Sequence, residues 1–286
     1  MILITGATGV SGKPIVQQLM AAGAKFRVMA RSPGKAREEL GLSNDEIVPG
    51  DFSDKASVEH ACRGIERVLL NSNASPQLVE QQSEFINIAR RLGIKHVVKF
   101  SVSGASPRAK YTFGQWHGAI EEALKSSGMG WTMLQPTFFM QNSFACAPSI
   151  KKSGQFHQPA GEGKAPYVDV RDIAAVAVKT LTESIHERKS YVITGPKDLT
   201  CKDIAKSIAK AIGEPVQYVD VPRETAKASM IQNGMPEWQA EAISELMDLL
   251  RKGQMAGPTN TVREVAKKEP FTFDQFARDH VSAFGV

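Results

Sequence analysis

Apolar positions in the first half of the chain alternate between two spacings, and the alternation predicts a repeating strand–helix order. Ile2-Leu3-Ile4 is an unbroken apolar run, which reads as a strand buried on both faces. Ile15, Val16, Leu19 and Met20 then recur at helical spacing. A second strand is expected over Lys25–Ala30, after a helix closed by Gly23, then a short helix over 33–41 and a third strand over Asp45–Val48. Lys55–Cys62 reads as a helix and Arg67–Leu70 as a strand. Pro76–Leu92 reads as a long helix with Phe85, Ile88, Ala89 and Leu92 on its apolar face and Gly93 beyond its end. His96–Phe100, Tyr111–Ser127 and Trp131–Leu134 continue the pattern as strand, helix and strand. Such an order implies a parallel sheet with right-handed crossovers and helices on both faces.

The rhythm changes after Pro136. Short strands are expected over Gln155–His157, Tyr191–Thr194 and Val216–Val219. Helices are expected near Val170–Leu181, Cys201–Ile212, Arg223–Asn233 and Pro236–Lys252, with one closing helix over Phe273–Phe284. The fold class expected is α/β: a doubly wound parallel sheet of Rossmann type with a smaller mixed, mostly helical C-terminal lobe. Residues 1–145 would form the nucleotide-binding domain and residues 146–286 the substrate-side lobe, with the segment near 166–182 packing back on the main sheet. A lobe outside the carboxyl ends of the strands would close a cleft.

The turn after the first strand carries the chemistry. Gly6, Gly9 and Gly12 separate the strand from the helix that follows. Gly6 allows the tight turn, Gly9 lets backbone approach a pyrophosphate, and Gly12 lets the helix pack close. The free N–H groups of Ala7, Thr8 and Val10 and the positive end of the helix would face the anion. The string Thr5-Gly6-Ala7-Thr8-Gly9-x-x-Gly12 resembles that of the short-chain dehydrogenase/reductase superfamily, in its extended and atypical branches.

The end of the second strand bears on cofactor choice. An NAD-preferring site places Asp or Glu there to bind the ribose 2′-hydroxyl. Here Arg31 stands at that place with Ser32 beside it and Lys35 a helical turn on, and no acid lies between Phe26 and Arg37. A guanidinium grips a 2′-phosphate that a carboxylate would repel, so NADPH is expected over NADH. Asp51 and Phe52, after the third strand, would lie near the adenine. Asn71, Ser72 and Asn73 would contact ribose and phosphate, and Ser101 and Ser103 would flank the nicotinamide.

Composition narrows the classes. The 286 residues suit one large domain or a main domain with a lobe. A net charge of +5 is mild, and Lys and Arg are scattered among acids, so no nucleic-acid stripe is expected. Cys62, Cys146 and Cys201 are far apart and fit neither a disulfide framework nor a metal site, so free thiols and no metal are expected. No apolar run reaches the length of a membrane span, and the first strand begins at Ile2 with no signal peptide before it. A soluble, cytoplasmic protein is the expectation, with a homo-oligomer left open.

The superfamily's Tyr-x-x-x-Lys pair belongs on the helix of residues 111–127, where i, i+4 spacing puts both on one face. Aligned by the continuation Glu121 to Pro136, Phe113 falls at the Tyr position and His117 at the Lys position. Phe113 cannot donate a proton, and Tyr111 is off register by two residues. Hydride transfer to an acceptor that needs little acid help, such as a quinone or a dye, remains feasible. His117 could bind cofactor or substrate, or supply a proton late.

Taken together, the glycine string, Arg31, the missing Tyr-x-x-x-Lys pair and the run from Gln135 to Asn142 resemble the NmrA-like atypical short-chain reductases. Within these the likeness is to NADPH-dependent triphenylmethane-dye reductases and quinone oxidoreductases. Members of this family also carry a His where this chain has His117. The resemblance implies that Pro136 lies beside the nicotinamide, and that Phe138, Phe139 and Asn142, with Ser103 and Phe113, shape a pocket for a small aromatic or conjugated substrate. Two other readings stay open: an NADP(H)-sensing regulator without turnover, and reduction or epimerisation of a nucleotide-sugar or phenolic metabolite, which would want the Tyr or a Lys at 117.

Overall fold

The computed structural model describes residues 1–255 and 257–285. The first half alternates β1 (Ile2–Ile4), α1 (Gly12–Ala21), β2 (Phe26–Ala30), α2 (Pro33–Leu40), β3 (Ile47–Pro49) and α3 (Lys55–Cys62). It continues through β4 (Arg67–Leu70), α4 (Leu78–Arg91), β5 (His96–Phe100), α5 (Thr112–Lys125) and β6 (Gly130–Pro136). Then come α6 (Ala147–Ser153), β7 (Gln155–Gln158), α7 (Val170–Thr182), β8 (Lys189–Ile193), α8 (Cys201–Ile212) and β9 (Gln217–Asp220). The chain closes with α9 (Arg223–Gln232), α10 (Glu237–Arg251), α11 (Thr261–Ala266), α12 (Phe273–Asp279) and α13 (Val281–Phe284). The main sheet has the order β3-β2-β1-β4-β5-β6-β8 with every pairing parallel, and β7 and β9 form a separate parallel pair.

Strand parity sorts the side chains between two layers. Ile2 and Ile4 of β1 and Val98 and Phe100 of β5 join the core under α1 and α7. Leu3, Val68, Leu70 and Val97 join the opposite core under α3, α4 and α5. Burial of each large side chain on α1, namely Ile15, Val16 and Leu19, contributes roughly 1.5–3 kcal/mol. The lobe has its own core, in which Phe156, Ile204, Ile208, Leu250, Phe273, Phe276 and Phe284 are buried.

Several local expectations are corrected. The third strand starts at Ile47, because residues Asn44–Glu46 form a 3-10 turn held by a capping box between Ser43 and Glu46. Residues expected as a lobe strand at 191–194 lie largely in β8, the outermost strand of the main sheet, with Leu134 opposite Tyr191. β8 pairs the edge that β6 would otherwise leave open. The closing helix is two helices, since His280 leaves helical geometry at φ −122° while its ring packs against Phe276 and Phe144. The 3-10 segment Met140–Cys146, α6 and α11 had no counterpart in the sequence pattern.

After β6 the chain enters the lobe, returns as α7 against α1 and as β8, and leaves again through α8, β9, α9 and α10. It comes back once more as α11, which packs on α7 and β8, before ending in the lobe. The two halves are stitched together between the carboxyl ends of the strands, where the cleft lies.

Candidate functional site

The turn after β1 is built around atoms that glycine leaves out. Gly6 has φ +67°, and a Cβ there would meet the Asn71 carbonyl oxygen at 2.8 Å. A Cβ on Gly12 would fall 2.1 Å from the Gly6 carbonyl oxygen, so any side chain would push α1 off the turn. Thr5 Oγ1 lies 2.7 Å from the Asn71 carbonyl oxygen and accepts from the Asn71 N–H at 2.8 Å, while Asn71 Nδ2 donates to Ser11 Oγ at 3.3 Å. Asn71 is thus a brace between β4 and the glycine turn. The amide N–H groups of Ala7, Thr8, Val10 and Ser11 have no partner among the described residues. They leave a ring of donors at the start of α1, which suits a pyrophosphate. Ala7 offers only its backbone, since its methyl is buried in the core.

Arg31, at the end of β2, is exposed and makes no ion pair among the described residues. Lys35 stands beyond it and shares Glu39 with Lys13, at 3.6 Å and 3.0 Å respectively. Those contacts, Lys13's first, hold the Glu39 carboxyl below its usual range. Asp51 accepts from Ser53 N–H and Ser53 Oγ at 2.8 Å and 2.7 Å, bonds that lower its pKa, and Arg31 nearby adds to the effect. The helix cap is Asp54, which accepts from Ala56 and Ser57 N–H. Phe52 packs on Phe85 at 5.7 Å. Ser72 accepts from the buried Gln82 at 2.8 Å, and Asn73 is exposed beside it. An unpaired guanidinium, a donor ring and a hydroxyl-rich rim are groups of the kind that fit a phosphorylated dinucleotide.

The cavity at the ends of β5 and β6 encloses about 170 Å³ of free space. It brings together Ser103, Phe113, Pro136, Phe138, Phe139 and Asn142, the residues the sequence had grouped, with Val102, Thr137, Tyr111, Leu246 and Met255. The lining is mostly apolar, as a flat conjugated ligand requires. Leu246 comes from α10, which no motif had connected to the site. Phe138 stacks on Tyr167 at 5.5 Å, and Phe113 meets Trp116 edge-on at 5.9 Å. Trp116 in turn packs on Trp238 of α10 at 5.8 Å.

Tyr111 reaches the cavity, but its hydroxyl donates to the Ser103 carbonyl and burial pushes its pKa up to about 12. It is not a free acid. Ser101 departs from its expected place beside the cofactor. It is fully buried, and its hydroxyl donates to Glu121 Oε1 at 2.6 Å, because its side chain points toward α5 and not into the cleft.

Glu121 belongs to a buried polar network that motif reading missed. Gln135 Nε2 donates to the same Glu121 oxygen at 2.8 Å, and Lys125 lies 3.7 Å from the other. Lys99, fully buried on β5, donates to the Phe100 carbonyl, and its Nζ lies 2.9 Å from His117 Nδ1. Burial lowers the Lys99 pKa to about 7, with Glu121 opposing the shift. Burial and then the charge of Lys99 hold the His117 pKa well below the usual histidine value. His117 keeps part of its surface open, a turn beyond Phe113, while protein encloses its other sides. Its Nε2 has no partner among the described residues and is not a buried atom. A lysine inside an otherwise apolar strand was the available signal, since strand parity with Val97 sends it toward α5.

Cys62 and Cys201 are buried and Cys146 half-buried, all as free thiols. Burial pushes Cys62 and Cys201 up to about 12, which makes them inert. Among the described residues no group of His, Cys, Asp and Glu is arranged to hold a metal ion, and no helix is long and apolar enough to cross a membrane.

Comparison with known proteins bears on this geometry. The NmrA-like family matches residues 1–277. An NAD(P)H azoreductase of Xenophilus azovorans is 38% identical over 286 residues, covering 100% of each chain. The structure of an NADPH-dependent quinone oxidoreductase from Escherichia coli, complexed with NADPH, superposes with a TM-score of 0.89 at 26% identity, covering 98% of this chain and 99% of that one. A Citrobacter sp. triphenylmethane reductase complexed with NADP(H) shares the fold, with a TM-score of 0.85 at 23% identity and coverage of 98% and 99%.

Proposed function

The chain belongs to the NmrA-like family, and we propose that it is an NADPH-dependent reductase passing hydride directly to a flat, conjugated acceptor such as a quinone or an azo dye. NAD(P)H-dependent oxidoreductase activity is supported by the azoreductase and the quinone oxidoreductase, each similar over nearly the whole of this chain. The observation that carries the choice of acceptor is the missing acid in the cavity. Phe113 lines the wall, and the one phenol there, Tyr111, is bound to a backbone carbonyl. An ordinary ketone needs a proton as its alkoxide forms. A quinone or azo group delocalises the added charge and can be protonated afterwards.

When bound, the nicotinamide cofactor supplies the hydride. The amides of Ala7, Thr8 and Val10 would hold its pyrophosphate, with Gly6, Gly9 and Gly12 allowing the approach. Arg31, assisted by Lys35, would hold the 2′-phosphate, with Asp51, Phe52, Asn71, Ser72 and Asn73 around the adenosine half. Pro136 and Ser103 would border the reacting end. Phe113, Phe138, Phe139 and Leu246 exclude water and keep an aromatic acceptor flat. Asn142, exposed at the mouth, would meet its polar edge. His117 offers an Nε2–H donor to a group bound beside it.

The test is oxidation of NADPH by the purified protein with a benzoquinone, a naphthoquinone, an azo dye and a triphenylmethane dye, with NADH run alongside. Turnover with NADPH preferred is the expected result. Tight NADPH binding, followed by tryptophan fluorescence, without turnover on any acceptor would replace this reading with an NADP(H) sensor.

A further inference from the structure

We infer that Lys99 is a positioning residue that fixes His117 as its neutral Nε2–H tautomer, so that this nitrogen is a fixed hydrogen-bond donor. The effect on turnover rests on the reductase reading. The tautomer itself does not.

Geometry and chemistry both point this way. An ammonium has only donors, so at 2.9 Å from His117 Nδ1 it leaves that nitrogen no role but acceptor. The ring proton then sits on Nε2, which has no partner among the described residues and is not a buried atom. A second imidazole proton would have to displace the Lys99 bond and sit beside a positive charge, and the enclosed ring disfavours it further. His117 is therefore held neutral at neutral pH, as a donor and not as an imidazolium. Lys99 has a defined set of neighbours: the Phe100 carbonyl, His117, and the Glu121 carboxylate, which is itself bonded to Ser101 and Gln135 and faced by Lys125. Tyr111 is the remaining titratable group near Glu121.

Packing alone does not account for a lysine here. β5 is buried along its whole length, and an apolar side chain of similar size would fill the same volume without the cost of desolvating a charge. The lysine amine contacts the partly exposed His117, whereas the other polar side chain of β5, His96, contacts the buried Thr132.

Nitrogen-15 NMR of the full-length protein with labelled histidine tests the inference without any turnover. The expected result is a single His117 tautomer, protonated at Nε2 and bare at Nδ1, below about pH 7, where Lys99 is an ammonium. A proton on Nδ1, or an imidazolium at neutral pH, overturns the inference in the wild-type protein, whether or not a variant folds. In Lys99→Met, His117 should become a mixture of tautomers. A ring still locked as Nε2–H overturns the inference.

Turnover gives the second readout. Lys99→Met should lower kcat by roughly tenfold or more while the KM for NADPH changes by less than about threefold, as loss of an orienting partner does. In the wild type kcat should fall from near pH 7 as Lys99 loses its charge, and this alkaline limb should vanish in the variant. An unchanged kcat, or the same alkaline limb in Lys99→Met, overturns the functional half of the inference. Wild-type protein that turns over no acceptor counts against the reductase reading and leaves the tautomer test standing.

Discussion

Glu245 on α10 accepts a hydrogen bond from the Thr112 backbone N–H at 2.7 Å and so caps α5 from across the cleft. Tyr111, at the N-cap of α5, makes no side-chain cap of its own. The helix carrying Phe113 and His117 is therefore completed by the lobe, and a carboxylate at its positive end adds a favourable charge–dipole term. Removing it in Glu245→Ala should cost roughly 0.5–2 kcal/mol of stability. It should also raise the KM for the acceptor several-fold, leaving the KM for NADPH nearly unchanged. Thermal unfolding and steady-state kinetics check both, and Glu245→Gln, which keeps an acceptor oxygen, should recover most of the loss.

On the proposed reading, Arg31 decides between the two nicotinamide cofactors. Arg31→Asp removes a charge-assisted contact worth roughly 1.5–3 kcal/mol and adds a repelling carboxylate. The KM for NADPH should rise by about 10- to 100-fold while that for NADH changes little. Unchanged NADPH kinetics would take Arg31 out of the site.

Phe113 contributes apolar wall to the cavity that the proposed function gives to the acceptor. Its truncation in Phe113→Ala should raise the KM for a naphthoquinone about tenfold, near 1.4 kcal/mol, without changing the dissociation constant for NADPH. Trp116, which meets Phe113 at 5.9 Å, should report the change in its fluorescence.

His96 makes the sheet acid-sensitive at the end away from the cleft. Its Nε2 lies 2.9 Å from Thr132 Oγ1, which donates to the His186 carbonyl at 2.7 Å, so Nε2 is the donor and Nδ1 is buried without a partner among the described residues. Burial, with Arg67 adding to it, lowers the imidazole pKa to about 4 from 6.5. The unfolded chain then takes up this proton at higher pH than the folded one. The contribution to stability is complete above about pH 6.5 and is lost as pH falls toward about 4. Denaturant unfolding through that window should show a slope steeper by up to about 1.4 kcal/mol per pH unit in wild type than in His96→Gln.

The parallel core was legible because β1 and β4 carry apolar runs buried on both faces, and Gly6 and Gly12 follow β1 directly ahead of a helical pattern. The lobe was less legible. β8 reads from sequence as a short, half-polar stretch, Lys189 to Ile193, and nothing local says that it pairs with β6. Leu246 enters the cavity by tertiary packing of an ordinary amphipathic helix, which no spacing reveals. Ser101 was misplaced because a serine at a strand end looks the same whether it faces the cleft or α5. Lys99 was visible all along as a charge in a buried strand, but its meaning needed the position of His117.

The way the chain passes back and forth between sheet and lobe sets how this protein can diversify. An exchange of everything after β6 with a relative would also remove β8 from the edge of the sheet and α7 from its place on α1. The part of the chain after β6 is therefore not a module that recombination can replace without breaking the sheet that carries the glycine turn. New acceptor preferences have to come one side chain at a time, on α10 and on the turn that follows β6.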